Sequence, residues 1–133
     1  MASKVAYLDS SAFVKLIVAE PESPALVRAL HRWPERASSA ILSTETVRAL
    51  RRSGNGQHVA MARRLLKSVH LIRVDESLLD RAADLEPPDL RSLDAIHLAA
   101  ALALGSEVGV MYVYDSRLRE AAEAFGLDVE APR

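Results

Sequence analysis

Cysteine is absent from the 133 residues. That removes disulfide frameworks, zinc ribbons, haem attachment and thiol catalysis, and it fits a reducing compartment. Lysine is scarce: Lys4, Lys15 and Lys67 are the only three, and none follows Lys67. Chemistries that steady a phosphoryl group with a lysine late in the chain therefore lack their residue. No apolar run approaches the roughly 20 residues of a membrane span. The longest, Leu93 to Leu104, carries Asp94 and His97. The opening Met-Ala-Ser-Lys-Val-Ala-Tyr-Leu also lacks the basic, apolar and cleavage-site succession of a secretory leader. A cytoplasmic protein without membrane contact is expected. What is present is globular in composition, with half the residues hydrophobic and 26% charged. The length suits about one domain. With no repeat, linker or low-complexity tract, residues 1–133 are expected to form it.

The net charge of −1 is a poor start for a binder of nucleic acid, whose affinity comes from neutralising phosphates. The total conceals an uneven distribution. If four carboxylates gather in one site, the rest of the chain carries +3. Fourteen of the 17 basic residues are arginine, the side chain suited to bidentate phosphate contacts. Arg48, Arg51, Arg52, Arg63, Arg64 and Lys67 cluster, either as a solvated helix face or as a surface for phosphates.

The hydrophobic pattern alternates strands with helices. Strands are expected at Lys4–Leu8, Ala37–Leu42, His70–Val74, Val108–Tyr114 and Leu127–Glu130. Helices are expected at Ser10–Ala19, from Glu22 or Ser23 to before Pro34, and at Ser43–Ser53, Gln57–Ser68, Glu76–Leu85, Ser92–Leu104 and Ser116–Phe125, with Pro87-Pro88 as a break. That order predicts an α/β fold with a mostly parallel sheet covered on both faces. The extra helices between the second and third strands predict a helical projection beside it. Ligands of such sheets bind beyond the carboxyl ends of the strands.

Three acids fall at that edge: Asp9 after the first strand, Glu45 just after the second and Asp115 after the fourth. Each also has a helix-capping or first-turn role open to it. Asp94 is harder to place innocently. It lies in a helix apolar almost all round, where an ionised carboxylate costs several kcal/mol unless it is paired or metal-bound. Four carboxylates at one edge would repel one another, and a hard divalent cation such as Mg²⁺ or Mn²⁺ resolves the conflict. An acidic metal site rimmed with arginine points to phosphodiester hydrolysis.

Four segments carry a specific resemblance: Tyr7-Leu-Asp9-Ser-Ser-Ala12, Ser43-Thr-Glu45-Thr-Val-Arg48-Ala49, Leu90-Arg-Ser-Leu-Asp94-Ala-Ile-His97-Leu-Ala99 and Tyr114-Asp115-Ser-Arg117-Leu118. In order and spacing they resemble the PIN-domain ribonucleases, most closely the VapC-type toxins of bacterial toxin–antitoxin pairs. The resemblance implies a three-layer α/β/α sandwich and a Mg²⁺-dependent endoribonuclease. It assigns the family's acid cluster to Asp9, Glu45, Asp94 and Asp115, with Asp9 and Asp94 as the direct ligands. Glu45 and Asp115 are expected to act through coordinated waters or to complete a second metal position. Metal-activated water would attack in line, leaving 5′-phosphate and 3′-hydroxyl ends with no covalent protein intermediate. Arg48, Arg51 and Arg117 are expected on the RNA, and no organic cofactor is implied. The partners implied are RNA, a cognate antitoxin laid across the acidic pocket, and a second copy in a homodimer. The first helix, apolar over more of its girth than one core face needs, offers either core packing or such an interface.

One position departs from the family pattern. A hydroxyl residue often stands two before the fourth acid, and here that position is Val113. Ser11, two after Asp9, is the alternative hydroxyl, with a plain helix-start role equally open. His97 shares a helix face with Asp94 and is expected to be a packed, hydrogen-bonded histidine rather than a ligand. A rival class, phosphoryl transfer through an aspartyl phosphate, needs the late lysine that is missing. A non-catalytic PIN-like module binding RNA or an antitoxin is the other alternative.

Overall fold

The computed structural model describes residues 4–133. The reading of a leader-free start rests partly on residues 1–3, which lie outside the described residues. Five strands form one sheet: β1 (Val5–Leu8), β2 (Arg36–Ser39), β3 (His70–Ile72), β4 (Val108–Tyr112) and β5 (Val129–Glu130). Their order is β3-β2-β1-β4-β5 and every pairing is parallel. The helices are α1 (Ser10–Phe13, tightening into a 3₁₀ turn at Val14–Leu16), α2 (Ser23–Leu30), α3 (Ile41–Arg52), α4 (Val59–Leu66), α5 (Glu76–Ala83), α6 (Ser92–Leu104) and α7 (Ser116–Ala124).

Strand side chains alternate between two faces, and the central strands use both. Ala6 and Leu8 of β1, with Val110 and Tyr112 of β4, face a core closed by Phe13, Leu26, Leu42, Leu50 and Leu66 from α1 to α4. Tyr7 and Met111 point the other way, with Val113, against Leu78, Leu98 and Leu118 from α5 to α7. The result is the expected three-layer sandwich with a parallel sheet. The two helices between β2 and β3 keep apolar faces in the first core and leave arginines outside.

Most elements are shorter than the sequence pattern by one to four residues, β3, β4 and β5 included, and the two departures that bear on the site are at α3 and α1. β2 ends at Ser39, and α3 starts at Ile41 instead of Ser43. The Ile41 N–H donates to Ser39 Oγ (3.3 Å), so a serine turn starts the helix early and Leu42 is buried within it. Glu45 consequently sits in the second turn of α3, not its first. The first helix is α-helical only to Phe13, and Val14–Leu16 continue it as a 3₁₀ turn. Its Ala12, Phe13 and Ile17 are buried in the core, which accounts for much of its apolar surplus.

Helices of such a fold run antiparallel to the strands, so their N-termini reach the edge where the strands end. β1 and β4 are neighbours whose chains lead off in opposite directions, making a topological switch point. That geometry brings Asp9 and Asp115 from strand ends beside Asp94 from the start of α6.

Candidate active site

Asp9 caps α1: its Oδ1 accepts the Ala12 N–H (3.0 Å) and the Ser11 hydroxyl (2.7 Å). Ser11 Oγ in turn accepts the N–H of Tyr114, next to Asp115, at 3.0 Å. One hydroxyl thus ties the end of β1 to the segment after β4. Val113 is fully buried among α5 to α7 residues, and the hydroxyls at this edge are Ser11 on Asp9 and Ser10 on Glu45. Asp9 is only 2% exposed. Burial, aided by the neighbouring Asp94 charge, pushes its carboxyl up to about 6, against the opposing pull of His97, Ser11 and the Ala12 N–H.

Asp94 lies in the first turn of α6, where the helix dipole favours a carboxylate. Burial raises its pKa; the Arg91 guanidinium opposes that rise and the Asp115 charge adds to it. Arg91 bridges the two acids, with Nε 3.4 Å from Asp94 Oδ2 and an Nη 3.2 Å from Asp115 Oδ2. Asp115 also caps α7, its Oδ1 accepting the Arg117 and Leu118 N–H groups at 3.0 and 3.1 Å. Both oxygens of Asp115 are therefore engaged, one structurally and one with a displaceable, largely exposed arginine.

Glu45 is held differently. Its Oε1 lies 2.6 Å from His97 Nε2, and its Oε2 accepts the Ser10 hydroxyl at 3.3 Å. His97 Nδ1 is 2.8 Å from the Tyr7 hydroxyl. The two ring nitrogens of His97 thus join the Tyr7 hydroxyl to the Glu45 carboxylate. Burial holds the Tyr7 hydroxyl well above the ordinary tyrosine pKa, so it remains a donor. His97 is 0% exposed, and it is the packed, hydrogen-bonded histidine expected. Its link to Glu45 was not expected.

Asp9 thus lies beside Asp94 and Asp94 beside Asp115, while Glu45 is tied in through His97, which neighbours both Asp9 and Asp94. Among the described residues no three acidic or histidine side chains converge closely enough to form a ready-made metal cage. Arg48 and Arg51 are exposed on α3, and Arg48 lines a cleft shared with Glu45. Arg117 is exposed on α7, beside a separate cleft near Leu90 and Glu120. Arg91, Tyr7 and Ser10 are residues around the acids that sequence reasoning misses. The Arg91–Asp94 spacing of three could have flagged the first; nothing local signals the second.

A switch-point edge of one buried and three half-buried carboxylates on an all-parallel α/β/α sandwich defines the class: the chain belongs to the PIN-domain family, whose pattern it matches over residues 6–124. Within that family its relatives are VapC-type endoribonucleases. It is 50% identical to Ribonuclease VapC46 of Mycobacterium tuberculosis over 126 residues, covering 95% of this chain and 96% of that protein. It is 40% identical to Ribonuclease VapC35 of the same organism over 133 residues, with the same coverage of each. Among solved structures, the fold is similar to that of Mycobacterium tuberculosis VapC20, a sarcin–ricin loop cleaving toxin. The TM-score is 0.76 at 19% identity, over 96% of this chain and 99% of that one. A toxin–antitoxin complex from Klebsiella pneumoniae contains a similar fold, with a TM-score of 0.69 at 22% identity over 96% of this chain and 98% of that one.

Proposed function

We propose that this endoribonuclease of the toxin–antitoxin class cuts RNA at the acid edge of its sheet, with Asp9, Glu45, Asp94 and Asp115 as catalytic carboxylates and Mg²⁺ as the ion, Mn²⁺ able to replace it. The observation that carries the proposal is Asp9. It is a carboxylate buried beside a second one, and one of its oxygens is fixed by Ser11 and Ala12. Among the described residues its other oxygen takes no hydrogen bond.

Ribonucleases of this family are metal-dependent, and the donor set fits a hard cation. Every candidate ligand is an oxygen, and the crowded charges of Asp9, Asp94 and Asp115 require a counter-charge that Arg91 supplies only in part. Mg²⁺ keeps several waters and uses few carboxylates, so two or three oxygens suffice for it. Asp9 and Asp94 would hold it, with Glu45 and Asp115 reaching it through water. When bound, such an ion acidifies a water and neutralises charge on the phosphoryl oxygen. The chain's own residues do the positioning. Ser11 and Ala12 set Asp9, His97 and Ser10 fix both oxygens of Glu45, and Arg91 shields Asp94 from Asp115.

The same reading makes an antitoxin protein the partner and RNA the substrate, with residues 1–133 acting in the cytoplasm as one PIN domain and as a homodimer. Arg48, Arg51 and Arg117 take its phosphate contacts. No helix among the described residues is long and apolar enough to cross a membrane. The direct test is Mn²⁺ titration of the purified protein followed by electron paramagnetic resonance. Asp9→Asn and Asp94→Asn should each weaken binding at least tenfold, while Arg63→Ala, remote from the acids in sequence, should not. Equal affinity in all three would sink the assignment.

A further inference from the structure

Lys15 takes no part in the acid edge itself. It stands in the 3₁₀ turn after α1, and its side chain is only 10% exposed, which is rare for a lysine. Its Nζ lies 2.7 Å from Glu22 Oε1, 3.2 Å from Glu20 Oε2 and 4.7 Å from the centre of the Tyr114 ring. The two carboxylates hold the ammonium, and the ammonium faces the ring as a cation–π contact. The segment Val113–Tyr114 is held at three more points. The Tyr114 N–H donates to Ser11 Oγ at 3.0 Å, and the Tyr114 hydroxyl donates to the Pro132 carbonyl at 2.8 Å. The Val113 N–H donates to the Glu130 carbonyl at 3.2 Å.

A paired lysine, or a tyrosine on a carbonyl, is ordinary protein structure. What sets these two apart is where the restrained segment leads. Asp115 follows Tyr114 directly, and Ser11, which accepts from Tyr114, donates to Asp9 Oδ1 at 2.7 Å. Ser11 and Lys15, four residues apart, thus hold one residue, the first by its backbone and the second by its ring. Both belong to the segment that follows Asp9, so the acid at the end of β1 and the acid after β4 are joined through Tyr114. Resting on the endoribonuclease reading above, we infer that Lys15 and Tyr114 are positioning residues that set Asp115 relative to Asp9. Neither has to touch RNA. An ion of the Mg²⁺ kind demands near-ideal octahedral geometry. A displacement of about 1 Å at a reacting centre costs on the order of 100-fold in rate. A brace joining the two strand ends acts on that geometry and leaves the surfaces for RNA as they are. Its loss lowers kcat and metal affinity and spares KM.

The test compares wild type with Lys15→Met, Lys15→Arg, Tyr114→Leu and Tyr114→Phe. Three quantities are read: hydrogen exchange of the residue 114 N–H by NMR in metal-free protein, Mn²⁺ affinity by electron paramagnetic resonance, and kcat and KM on an RNA that wild type cuts. Lys15→Met keeps the apolar stem and drops the charge, and Tyr114→Leu drops the ring. In both, exchange at residue 114 should rise about tenfold more than at Ala6 in β1, which separates local opening from lost global stability. Mn²⁺ should bind about tenfold more weakly, and kcat should fall by about tenfold or more. KM should stay within about twofold. Lys15→Arg keeps a cation over the ring and should stay within about threefold of wild type on every reading. So should Tyr114→Phe, which loses only the Pro132 bond. Where Lys15→Met fails to fold, adding Glu20→Gln and Glu22→Gln removes the unpaired charges and reads the same quantities. Variants that shift the urea midpoint alone, with local exchange, Mn²⁺ affinity and kcat unmoved, overturn the positioning role. So does a rise in KM with kcat unchanged, which would make Lys15 an RNA contact. If metal-loaded wild type cuts no RNA, the endoribonuclease reading fails, and the exchange and Mn²⁺ readings still decide whether the brace sets the two acids.

Discussion

His97 Nε2 lies 2.6 Å from Glu45 Oε1 although 52 residues separate the two. With Tyr7 on its other nitrogen, this histidine links the centre of the sheet to a carboxylate at its edge. Both its nitrogens are spent on orientation, which leaves neither for a ligand.

Replacing His97 with alanine would empty a fully buried position and leave Tyr7 and Glu45 without their partner. The cavity and the two broken hydrogen bonds together should cost about 3 kcal/mol in urea unfolding. Tyr7→Phe removes only one hydroxyl and should cost about 1 kcal/mol. His97→Gln, which can still donate to Glu45, should recover part of the alanine loss. Indistinguishable curves for the alanine and glutamine variants would mean that the Glu45 hydrogen bond contributes nothing.

Asp9 makes stability depend on pH in a fixed direction. Its folded pKa is raised from 3.8 to about 6. Between those values the folded protein keeps a proton that the unfolded chain has lost, so this group lowers stability as pH rises through the window. The full cost, about 3 kcal/mol, is present above pH ~6 and absent below pH ~4. Metal-free Asp9→Asn should therefore be more stable than wild type at pH 7.5 and match it near pH 4, with Asn Oδ1 still accepting from Ser11 and Ala12. Denaturant titrations at both pH values read this difference. An Asn variant less stable than wild type at pH 7.5 contradicts the buried-charge picture.

Arg91 shares its charge between Asp94 and Asp115, from a side chain 68% exposed. It competes with any cation for those oxygens. An exposed pair of this kind is worth only about 0.2–1 kcal/mol. Arg91→Ala should accordingly tighten Mn²⁺ binding roughly twofold to fivefold at low salt, with the gain shrinking as salt screens it. Weaker binding in the variant would show that Arg91 organises the acids instead of competing for them.

What the sequence disclosed follows from distance along the chain. Asp9 and Asp115 sit directly after apolar runs, so strand order alone places them at an edge. Asp94 betrays itself as a charge in an apolar helix. Glu45 was legible as an acid near a strand end, but its exact turn was not, because Ser39 starts α3 two residues early. The pairing of Tyr7 with His97 spans 90 residues and depends on α6 packing against that face of the sheet, which no local pattern encodes. The Ser11–Tyr114 bond likewise needs β1 and β4 to be neighbours. A missing hydroxyl at Val113 therefore reads from sequence as a defect, while in the folded chain Ser11 joins Asp9 to the Tyr114 N–H beside Asp115.

The most direct measurement is cleavage of total cellular RNA by purified, antitoxin-free protein with Mg²⁺, with Mn²⁺ or with EDTA, beside Asp9→Asn and Asp94→Asn. Discrete fragments with 5′-phosphate ends that require metal and vanish in both variants are the predicted result. Fragments that persist in EDTA or in either variant, or no cleavage by folded, metal-loaded wild type, would contradict it.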